Sequence, residues 1–105
     1  MQYAHIGWCH EDNHDKVWGI ILLAENVPVS DAWPSITNKY VSFWGRRGKK
    51  LQTKQFDGSN YDAEKMFDKK LKKGYQAVDK QRLDEVYPEF EQDLEKTAVW
   101  AMLGV

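Results

Sequence analysis

Residues 39–58 read KYVSFWGRRGKKLQTKQFDG, and this stretch predicts a β-hairpin. Its first strand alternates in the manner of a half-buried strand, with one face formed by Tyr40, Ser42 and Trp44 and the other by Val41 and Phe43. A turn rich in glycine and lysine follows at residues 45–50, and Leu51 to Phe56 forms the returning strand. The hairpin therefore ends at Asp57-Gly58.

The segment after the hairpin carries the signals of a helix start and a helix end. Ser59 and Asp62 fit a capping box, in which the Ser59 hydroxyl accepts a hydrogen bond from the Asp62 amide. Apolar residues then recur at helical spacing, and lysines fill the last turn. Gly74 supplies the position just beyond the helix. The sequence predicts a basic helix over residues 61–73 that packs through its apolar side.

Two further strands are predicted before the hairpin. Residues 3–8 form a short strand, and Lys16 to Ala24 forms a longer one whose apolar run is nearly continuous. Such a run indicates a strand that is central or buried on both faces. Residues 25–38 contain two prolines among serine, aspartate and asparagine residues, which predicts a long loop. Within it, Trp33-Pro34 is interpreted as an anchor folded back onto the body of the protein.

The C-terminal segment from about Arg82 is predicted to be helical. Its apolar stripe is formed by Leu83, Val86, Phe90, Leu94, Thr97, Ala98 and Ala101. Pro88 interrupts this pattern, and proline favours the first position of a helix, so a second helix is expected from about Pro88. The stripe is expected to dock on the sheet or on a second subunit. A homodimer through the C-terminal helix would use Leu94, Ala98 and Ala101.

Length and composition limit the class of protein. The 105 residues allow one domain, residues 1–105, and a chain with 42% hydrophobic and 30% charged residues is not a disordered or low-complexity protein. The longest apolar run, residues 20–24, is far too short to span a bilayer, and residues 1–5 lack the pattern of a secretory signal. One cysteine cannot form an internal disulfide, which fits a reducing compartment. We therefore expect a cytoplasmic protein with no membrane partner.

The charge is unevenly distributed, although the formal net charge is only −1. Residues 1–38 hold one basic and five acidic residues, residues 39–75 hold eleven and four, and residues 76–105 hold three and seven. A basic block interleaved with aromatic residues can hold phosphates and offer flat faces for stacking. The alternative interpretation of this block is a solvated face that the acidic ends neutralise.

An ordered set of residues surrounds the tripeptide Trp44-Gly45-Arg46. Gly48 and Gln52 follow it, Asp15-Lys16-Val17-Trp18 opens the strand upstream, and the helix downstream has Ala63 and Phe67 before Lys73-Gly74-Tyr75. This set resembles the WGR domain, a module of poly(ADP-ribose) polymerases and of assorted bacterial proteins. The resemblance covers residues 14–80, and residues 81–105 then form a C-terminal helical extension. One departure is Leu51, where the family commonly has a second turn glycine.

The resemblance implies an α+β fold in which an antiparallel β-sheet carries one helix packed across one face. In the polymerases, the WGR module binds DNA near strand breaks. Its tryptophan stacks on the sugar at a DNA terminus, and its arginine helps to link DNA to neighbouring domains. By position, Trp44 is then the stacking residue and Arg46 the polar relay. No catalytic domain is expected to follow in this chain, so we expect Arg46 to contact phosphate directly.

The residues themselves favour the same function. Gly45 after Trp44 allows a ligand to approach the backbone closely. Basic side chains neutralise phosphates without reading sequence, and an indole stacks without base preference. The predicted nucleic-acid-binding residues are Trp44, Gly45, Arg46, Arg47, Lys49, Lys50 and Lys54. We therefore expect a non-catalytic module that binds DNA ends, nicks or backbone without sequence specificity.

Other functions have weaker support in the sequence. His5, Cys9, His10 and His14 match no regular zinc spacing, so we expect no metal site. Cys9 and His10, as neighbours on a strand, point to opposite faces and do not form a nucleophile pair. No phosphate-binding loop, dinucleotide motif or hydrolase elbow occurs, so neither catalysis nor a cofactor is expected. The main alternative is a protein-interaction module that docks on a partner enzyme or subunit, and it gains support if acidic residues 84–95 fold over the basic patch.

Overall fold

The described part of the chain forms a five-stranded antiparallel sheet. The structure is a computed structural model, and it describes residues 2–11, 14–28 and 36–97. The strands are β1 (Gln2–Glu11), β2 (His14–Pro28), β3 (Ile36–Arg46), β4 (Gln52–Gly58) and β5 (Gln76–Ala77). Their order across the sheet is β4-β3-β2-β1-β5, so β2 lies at the centre and β4 and β5 lie at the edges. All of these strands except β5 are predicted from the sequence.

Helices cover both faces of this sheet. They are α1 (Asn60–Lys72), α2 (Lys80–Val86) and α3 (Phe90–Glu95). As predicted, α1 packs across one face, where it contacts β1, β2 and β4. The C-terminal helices α2 and α3 bury their apolar side chains against the opposite face. The fold is therefore α+β, with α1 across one face of the antiparallel sheet and a C-terminal helical segment on the other.

Each face of the sheet has its own apolar core. The α1-side core consists of Cys9, Trp18, Ile20, Tyr40, Ala63, Phe67 and Tyr75. The α2/α3-side core consists of Ile6, Val17, Ile21, Val41, Phe43, Leu51, Leu83, Tyr87, Phe90 and Leu94. Because β2 contributes to both cores, the prediction that it is a central strand buried on both faces is confirmed.

The strand β3 is more deeply buried than its sequence predicts. Tyr40 belongs to the α1-side core and Val41 and Phe43 to the α2/α3-side core, so the predicted alternation is confirmed. However, Tyr40, Val41, Ser42 and Phe43 are all at most 5% exposed. The prediction of a half-buried strand is therefore wrong, because the C-terminal helices cover the second face of the sheet as well.

The helix α1 forms where its local signals predict it. The Ser59 hydroxyl accepts a hydrogen bond from the Asp62 amide at 3.2 Å, and the Asp62 carboxylate accepts one from the Ser59 amide at 2.9 Å. Both bonds of the predicted capping box are thus present. Beyond the other end of the helix, Gly74 has a φ of +104°, a left-handed conformation that glycine adopts at little steric cost.

The strands β2 and β3 extend into the segment that is predicted to be a loop. Val27 pairs with Thr37, so both ends of the predicted loop belong to the sheet and that part of the prediction is wrong. The pairing is irregular here, and Asn26 has a φ of +55°. Pro28 stands at the end of β2, where a proline is tolerated in a sheet. Trp33-Pro34 lies outside the described residues.

The C-terminal segment breaks at Pro88, as predicted. Phe90 donates its backbone N–H to the Tyr87 carbonyl at 3.1 Å, so Pro88 and Glu89 lie within a turn. Glu89, with φ −89° and ψ 10°, is the residue before α3, and the helix begins at Phe90. The prediction of a helix start at Pro88 is therefore wrong by the length of this turn.

The apolar stripe of α2 and α3 docks on the sheet. Leu94, one of the three residues of the predicted dimer contact, is completely buried in the α2/α3-side core. Its side chain is therefore already in contact with the sheet of its own chain. Ala98 and Ala101, the other two residues of that contact, lie outside the described residues.

Candidate functional site

A groove of about 410 Å³ lies between the C-terminal half of α1 and the sheet. We call it the lysine groove, and it is lined by Trp18, Trp44, Met66, Lys69, Lys70, Lys73 and Tyr75. None of these seven residues is acidic, and three of them carry an ammonium group. The groove therefore combines flat aromatic surface with concentrated positive charge.

Strand register and helix periodicity bring these residues together. Trp18 of β2 pairs directly with Trp44 of β3, so both indoles lie on the face that α1 covers. On α1, positions 66, 69, 70 and 73 are three or four residues apart and therefore share one side of the helix. The left-handed Gly74 then reverses the chain, and the Tyr75 amide donates to the Lys70 carbonyl at 3.2 Å. This return places Tyr75 beside the groove.

The aromatic side chains of the groove are held in place by their neighbours. Trp18 is 4% exposed and stacks on Phe67, with ring centroids 6.0 Å apart and planes 11° apart. The Lys70 ammonium lies 5.6 Å from the Trp18 ring centroid, and the Lys16 ammonium lies 5.6 Å from that of Tyr75. Trp44 is only half-buried, so it offers the accessible indole of the site.

The positive charges of the groove repel one another. Burial lowers the pKa of Lys70, and the nearby charges of Lys73 and Lys16 lower it further. An anion bound among these ammonium groups would relieve that repulsion. The arrangement is therefore suited to a phosphate or another anion that carries an aromatic or sugar ring to pack on the Trp44 indole.

Two predicted site residues besides Trp44 share the face of the lysine groove. Arg46 pairs with Lys16 across β2 and β3, and Lys54 pairs with Ser42 across β3 and β4. Residues that pair directly in an antiparallel ladder project from the same face. Arg46 and Lys54 therefore extend the basic face beyond the groove, one at the end of β3 and the other at the sheet edge.

Arg47 is held on the other side of the hairpin. Its guanidinium forms an ion pair with Asp15 at 2.7 Å and donates a hydrogen bond to the Val86 carbonyl. Burial acts to raise the pKa of Asp15, but hydrogen bonds from Trp8 and Arg47 outweigh it and keep the pKa below its ordinary value. Arg47 therefore ties the hairpin turn to β2 and to the end of α2, apart from the lysine groove.

Replacing Asp15 tests this structural role. We expect Asp15→Asn to lower the free energy of unfolding by about 1 kcal/mol at pH 7, because it removes the charge that Arg47 contacts. Since the pKa of Asp15 is depressed in the folded protein, this stabilisation is present above the ordinary carboxyl pKa and is lost as the pH falls through the folded value. Urea unfolding of both proteins should therefore give free energies that converge in acid.

A more exposed ion pair provides the control for that measurement. Lys39 and Asp57 are 3.4 Å apart with side chains 47% and 57% exposed, so Asp57→Asn should change the free energy of unfolding little. Equal effects of the two substitutions, or a difference for Asp15→Asn that persists in acid, would contradict the assigned role of Asp15.

Gly45 lies close to the Leu51 side chain within the hairpin. Gly45 has a φ of +153°, and a Cβ atom there would lie 3.2 Å from the Leu51 side chain. Leu51 is 2% exposed and belongs to the α2/α3-side core, so this turn position is occupied by a core residue. Leu51 therefore packs close to the Gly45 backbone. Lys49 and Lys50 are exposed on the turn.

The structure therefore divides the residues of the predicted site. Trp44, Arg46 and Lys54 share the face of the lysine groove, whereas Arg47 is engaged elsewhere and Lys49 and Lys50 occupy the turn. The site residues that the sequence analysis misses are Trp18, Lys69, Lys70, Lys73 and Tyr75. The spacing of the three lysines indicates that they share one side of α1. The sequence analysis, however, interprets them only as the charged last turn of a helix and not as part of a binding site.

The cysteine and histidine residues considered for metal binding are dispersed. His5 stacks on Phe67 at 4.8 Å, and His10 stacks on Trp8 at 5.1 Å on the other side of β1. Over residues 2–11, 14–28 and 36–97, no group of three or more His, Cys, Asp or Glu residues is arranged to hold a metal ion. The longest described helix has 13 residues, and none of the described helices is long and apolar enough to cross a membrane.

Comparison with known proteins gives no match for this chain. No family model matches it, and neither does any curated protein or any solved structure. The resemblance to the WGR domain therefore stays a prediction that rests on the residues quoted above.

Proposed function

We propose that the protein is a non-catalytic module that binds nucleic acid through its backbone, without sequence specificity and with DNA ends or nicks as the preferred sites. The observation that carries this proposal is the lysine groove, where the accessible indole of Trp44 stands beside Lys69, Lys70 and Lys73. Lysines bind phosphates whatever the base sequence, and an indole stacks on an exposed base or sugar at a strand end.

The distribution of charge between the two faces supports this function. The acidic residues of α2 and α3 lie with those helices on the face opposite α1, so in the described structure they do not cover the lysine groove. Arg47 does contact the end of α2, at the Val86 carbonyl. An acidic segment folded over the basic residues would favour the interaction-module alternative. The C-terminal segment reaches Arg47 through the Val86 carbonyl, but its described residues do not cover the lysine groove.

The shape of the described helices argues against sequence reading. A recognition helix needs a free face to enter the major groove of DNA. In α1, Ala63 and Phe67 are buried against the sheet, and the exposed positions include Glu64 and Asp68, whose negative charge opposes entry between the phosphates of a DNA groove. The remaining helices, α2 and α3, have seven and six residues and carry acidic side chains. Backbone binding therefore fits this surface better than base readout.

The WGR resemblance supports the same proposal and assigns the stacking role to Trp44. By that resemblance, Arg46 is the polar relay beside the DNA, and its pairing with Lys16 puts it on the basic face. A cytoplasmic location belongs to the same proposal, because Cys9 is a free, buried thiol of the kind that persists in a reducing compartment.

Fluorescence anisotropy with three duplexes tests the proposal. A blunt-ended duplex and a nicked duplex should bind more tightly than a dumbbell of the same sequence, in which hairpins close both ends. Binding to all three should weaken steeply as salt increases. Equally tight binding to the dumbbell would contradict the preference for ends but would still support binding to the DNA backbone. No binding to any duplex at low salt would refute the proposed function.

Trp44→Ala tests the stacking residue. We expect binding to the blunt-ended duplex to weaken about tenfold or more, because stacking on one aromatic side chain contributes roughly 1–3 kcal/mol. Trp8→Ala is the matched control, since Trp8 is another half-buried indole but packs against the α2/α3-side core. Circular dichroism should show that both variants are folded. Binding that survives the double substitution Trp44→Ala with Arg46→Ala would refute the proposed site.

A further inference from the structure

The outer side of β1 is an open sheet edge over the first part of the strand. The short strand β5 pairs only with the middle of β1, where Gly7 pairs with Ala77 and Trp8 with Gln76. The pairing ends where the Val78 amide donates to the Ile6 carbonyl at 3.0 Å. In the part of the chain that the structure describes, no strand pairs with residues 2–5 on this side. Their outward backbone groups are a template for another strand.

This edge lacks the charged side chains that usually protect an open strand. Residues 2–6 read QYAHI, with no lysine, acidic residue or proline. Burial lowers the pKa of His5, which favours its uncharged form. The opposite edge of the sheet, β4, carries Lys54 and Asp57, and charged residues oppose pairing with another strand. Of these two edges, β1 is therefore the one suited to accept a strand.

A groove of about 590 Å³ adjoins the open edge. We call it the β1-edge groove, and its walls include Tyr3, His5, Phe67, Val78, Asp79 and Lys80. A bulge between Tyr3 and His5 directs these two rings to opposite faces of the sheet, so that Tyr3 packs with the α2/α3-side core and His5 stacks on Phe67. Side chains of an added strand alternate between two faces, and the groove has an aromatic wall for each.

Acidic residues surround the α2 side of this groove. Burial raises the pKa of the Tyr3 hydroxyl, and the negative charges of Glu91 and Asp84 raise it further. Lys80 is the basic residue of the wall, and it is already paired with Asp84 at 2.5 Å and with Glu91 at 3.1 Å. Two carboxylates share one ammonium group, so this side keeps a negative charge.

Acidic residues also flank the α1 side. Glu64 and Asp68 act on His5, since their charges raise its pKa against the larger effect of burial. Asp79 lies in the wall itself, at the start of α2. The carboxylates on both sides favour a positively charged ligand, whereas the lysine groove, which shares no residue with this one, favours an anion.

We propose that the β1-edge groove binds a basic, extended segment of a partner protein, which joins the sheet as a sixth strand beside residues 2–5. Main-chain hydrogen bonds to the open edge provide the affinity, and the carboxylates around the groove select lysine or arginine side chains. The bound segment would also cover the β1 edge, as β5 already does for Gly7 and Trp8.

A labelled peptide of alternating lysine and valine is the probe for this site. It should bind more tightly than a peptide of alternating glutamate and valine. It should also bind more tightly than a lysine–valine peptide with all its amides N-methylated, which keeps the charge but loses the hydrogen-bond donors of both edges. Failure of the first peptide to bind at low salt, or equal binding of the N-methylated peptide, would overturn the proposal.

Paired protein variants test the charge selection. Glu64→Gln with Asp68→Asn should weaken binding of the lysine–valine peptide about fivefold, because two exposed carboxylates are lost. Glu85→Gln with Glu95→Gln is the control, since it removes the same charge from exposed residues that do not act on His5 or Tyr3. Equal weakening by both pairs would show general attraction and overturn the proposed site. The Glu64 and Asp68 substitutions should leave duplex DNA binding undiminished, so this test and that of the proposed function can fail separately.

Amide hydrogen exchange locates the bound strand. Peptide binding should slow the exchange of outward-pointing backbone amides within residues 2–5 and leave those of β4 unchanged. Protection at β4 would overturn the assignment to β1. If the β1 amides are protected without peptide because the protein associates with itself, the strand that pairs with β1 comes from a second copy of the chain. The proposal of a basic partner segment would then be wrong.

Discussion

Replacing Lys69, Lys70 and Lys73 together by glutamine is expected to weaken duplex DNA binding about a hundredfold near physiological salt. The three ammonium groups rim one groove, and none of the residues that line it offers them a carboxylate. Each phosphate contact adds about 0.9 to the slope of log affinity against log salt, so the slope should fall by about 2 to 3. Anisotropy titrations over a salt series measure both quantities.

A charge-matched control separates the groove from general attraction. Lys65, Lys72 and Lys96 are exposed and do not line the lysine groove, so their joint replacement by glutamine changes the net charge equally. This control should weaken binding only severalfold, since long-range attraction of exposed charges is screened by salt. If both triple variants lose affinity and slope equally, binding is a property of the overall charge and the lysine groove is not the site.

The elements that the sequence predicts well are those specified by neighbouring residues. The capping box of Ser59 and Asp62 and the left-handed Gly74 fix the ends of α1 within a few residues of chain. The alternation around Val41 and Phe43 likewise fixes the strand and its two faces. Such signals are local, because each depends on backbone geometry within one or two turns or along one strand.

The candidate site is harder to predict because it depends on pairing over long sequence distances. Alternation shows which residues of a strand share a face, but it does not show that Trp18 pairs with Trp44, which fixes two indoles side by side. The helical spacing of Lys69, Lys70 and Lys73 shows that they share a side of α1, but not that this side meets those indoles. The motif around Trp44 therefore locates one residue of the groove and leaves its partners unassigned.

The burial of β3 was missed for a related reason. The stripe that includes Leu83, Phe90 and Leu94 predicts a helical face in need of a partner, but not which surface it covers. Once α2 and α3 dock on the sheet, residues 40–43 of the predicted half-buried strand become buried on both faces and the turn residue Leu51 becomes a core residue. The same docking carries the acidic residues away from the lysine groove.

Gly19→Ala should be among the most destabilising single substitutions in the chain. A Cβ atom at Gly19 would lie 2.3 Å from Cζ of Phe43 and 2.8 Å from the backbone oxygen of His5. The Phe43 ring is fully buried, with its centroid 5.0 Å from that of Phe90 and 6.4 Å from that of Tyr3. It therefore has no space to move without disturbing the packing of α3, and the His5 carbonyl belongs to the strand beside Gly19.

We expect this substitution to lower the free energy of unfolding by about 3 kcal/mol, at the upper end of the range for overpacking a core. Urea unfolding followed by circular dichroism measures it. Gly48→Ala is the control, because nothing lies within 4 Å of a Cβ there and only its φ of +82° is unfavourable, which costs about 1 kcal/mol. Adding Phe43→Leu to Gly19→Ala should restore part of the stability by removing the ring atoms from the clash, whereas the contact with the His5 carbonyl remains. If Gly19→Ala leaves the free energy of unfolding unchanged, Phe43 does not pack on β2 at Gly19. The described packing of Phe90 of α3 on Phe43 at the centre of the sheet would then be wrong.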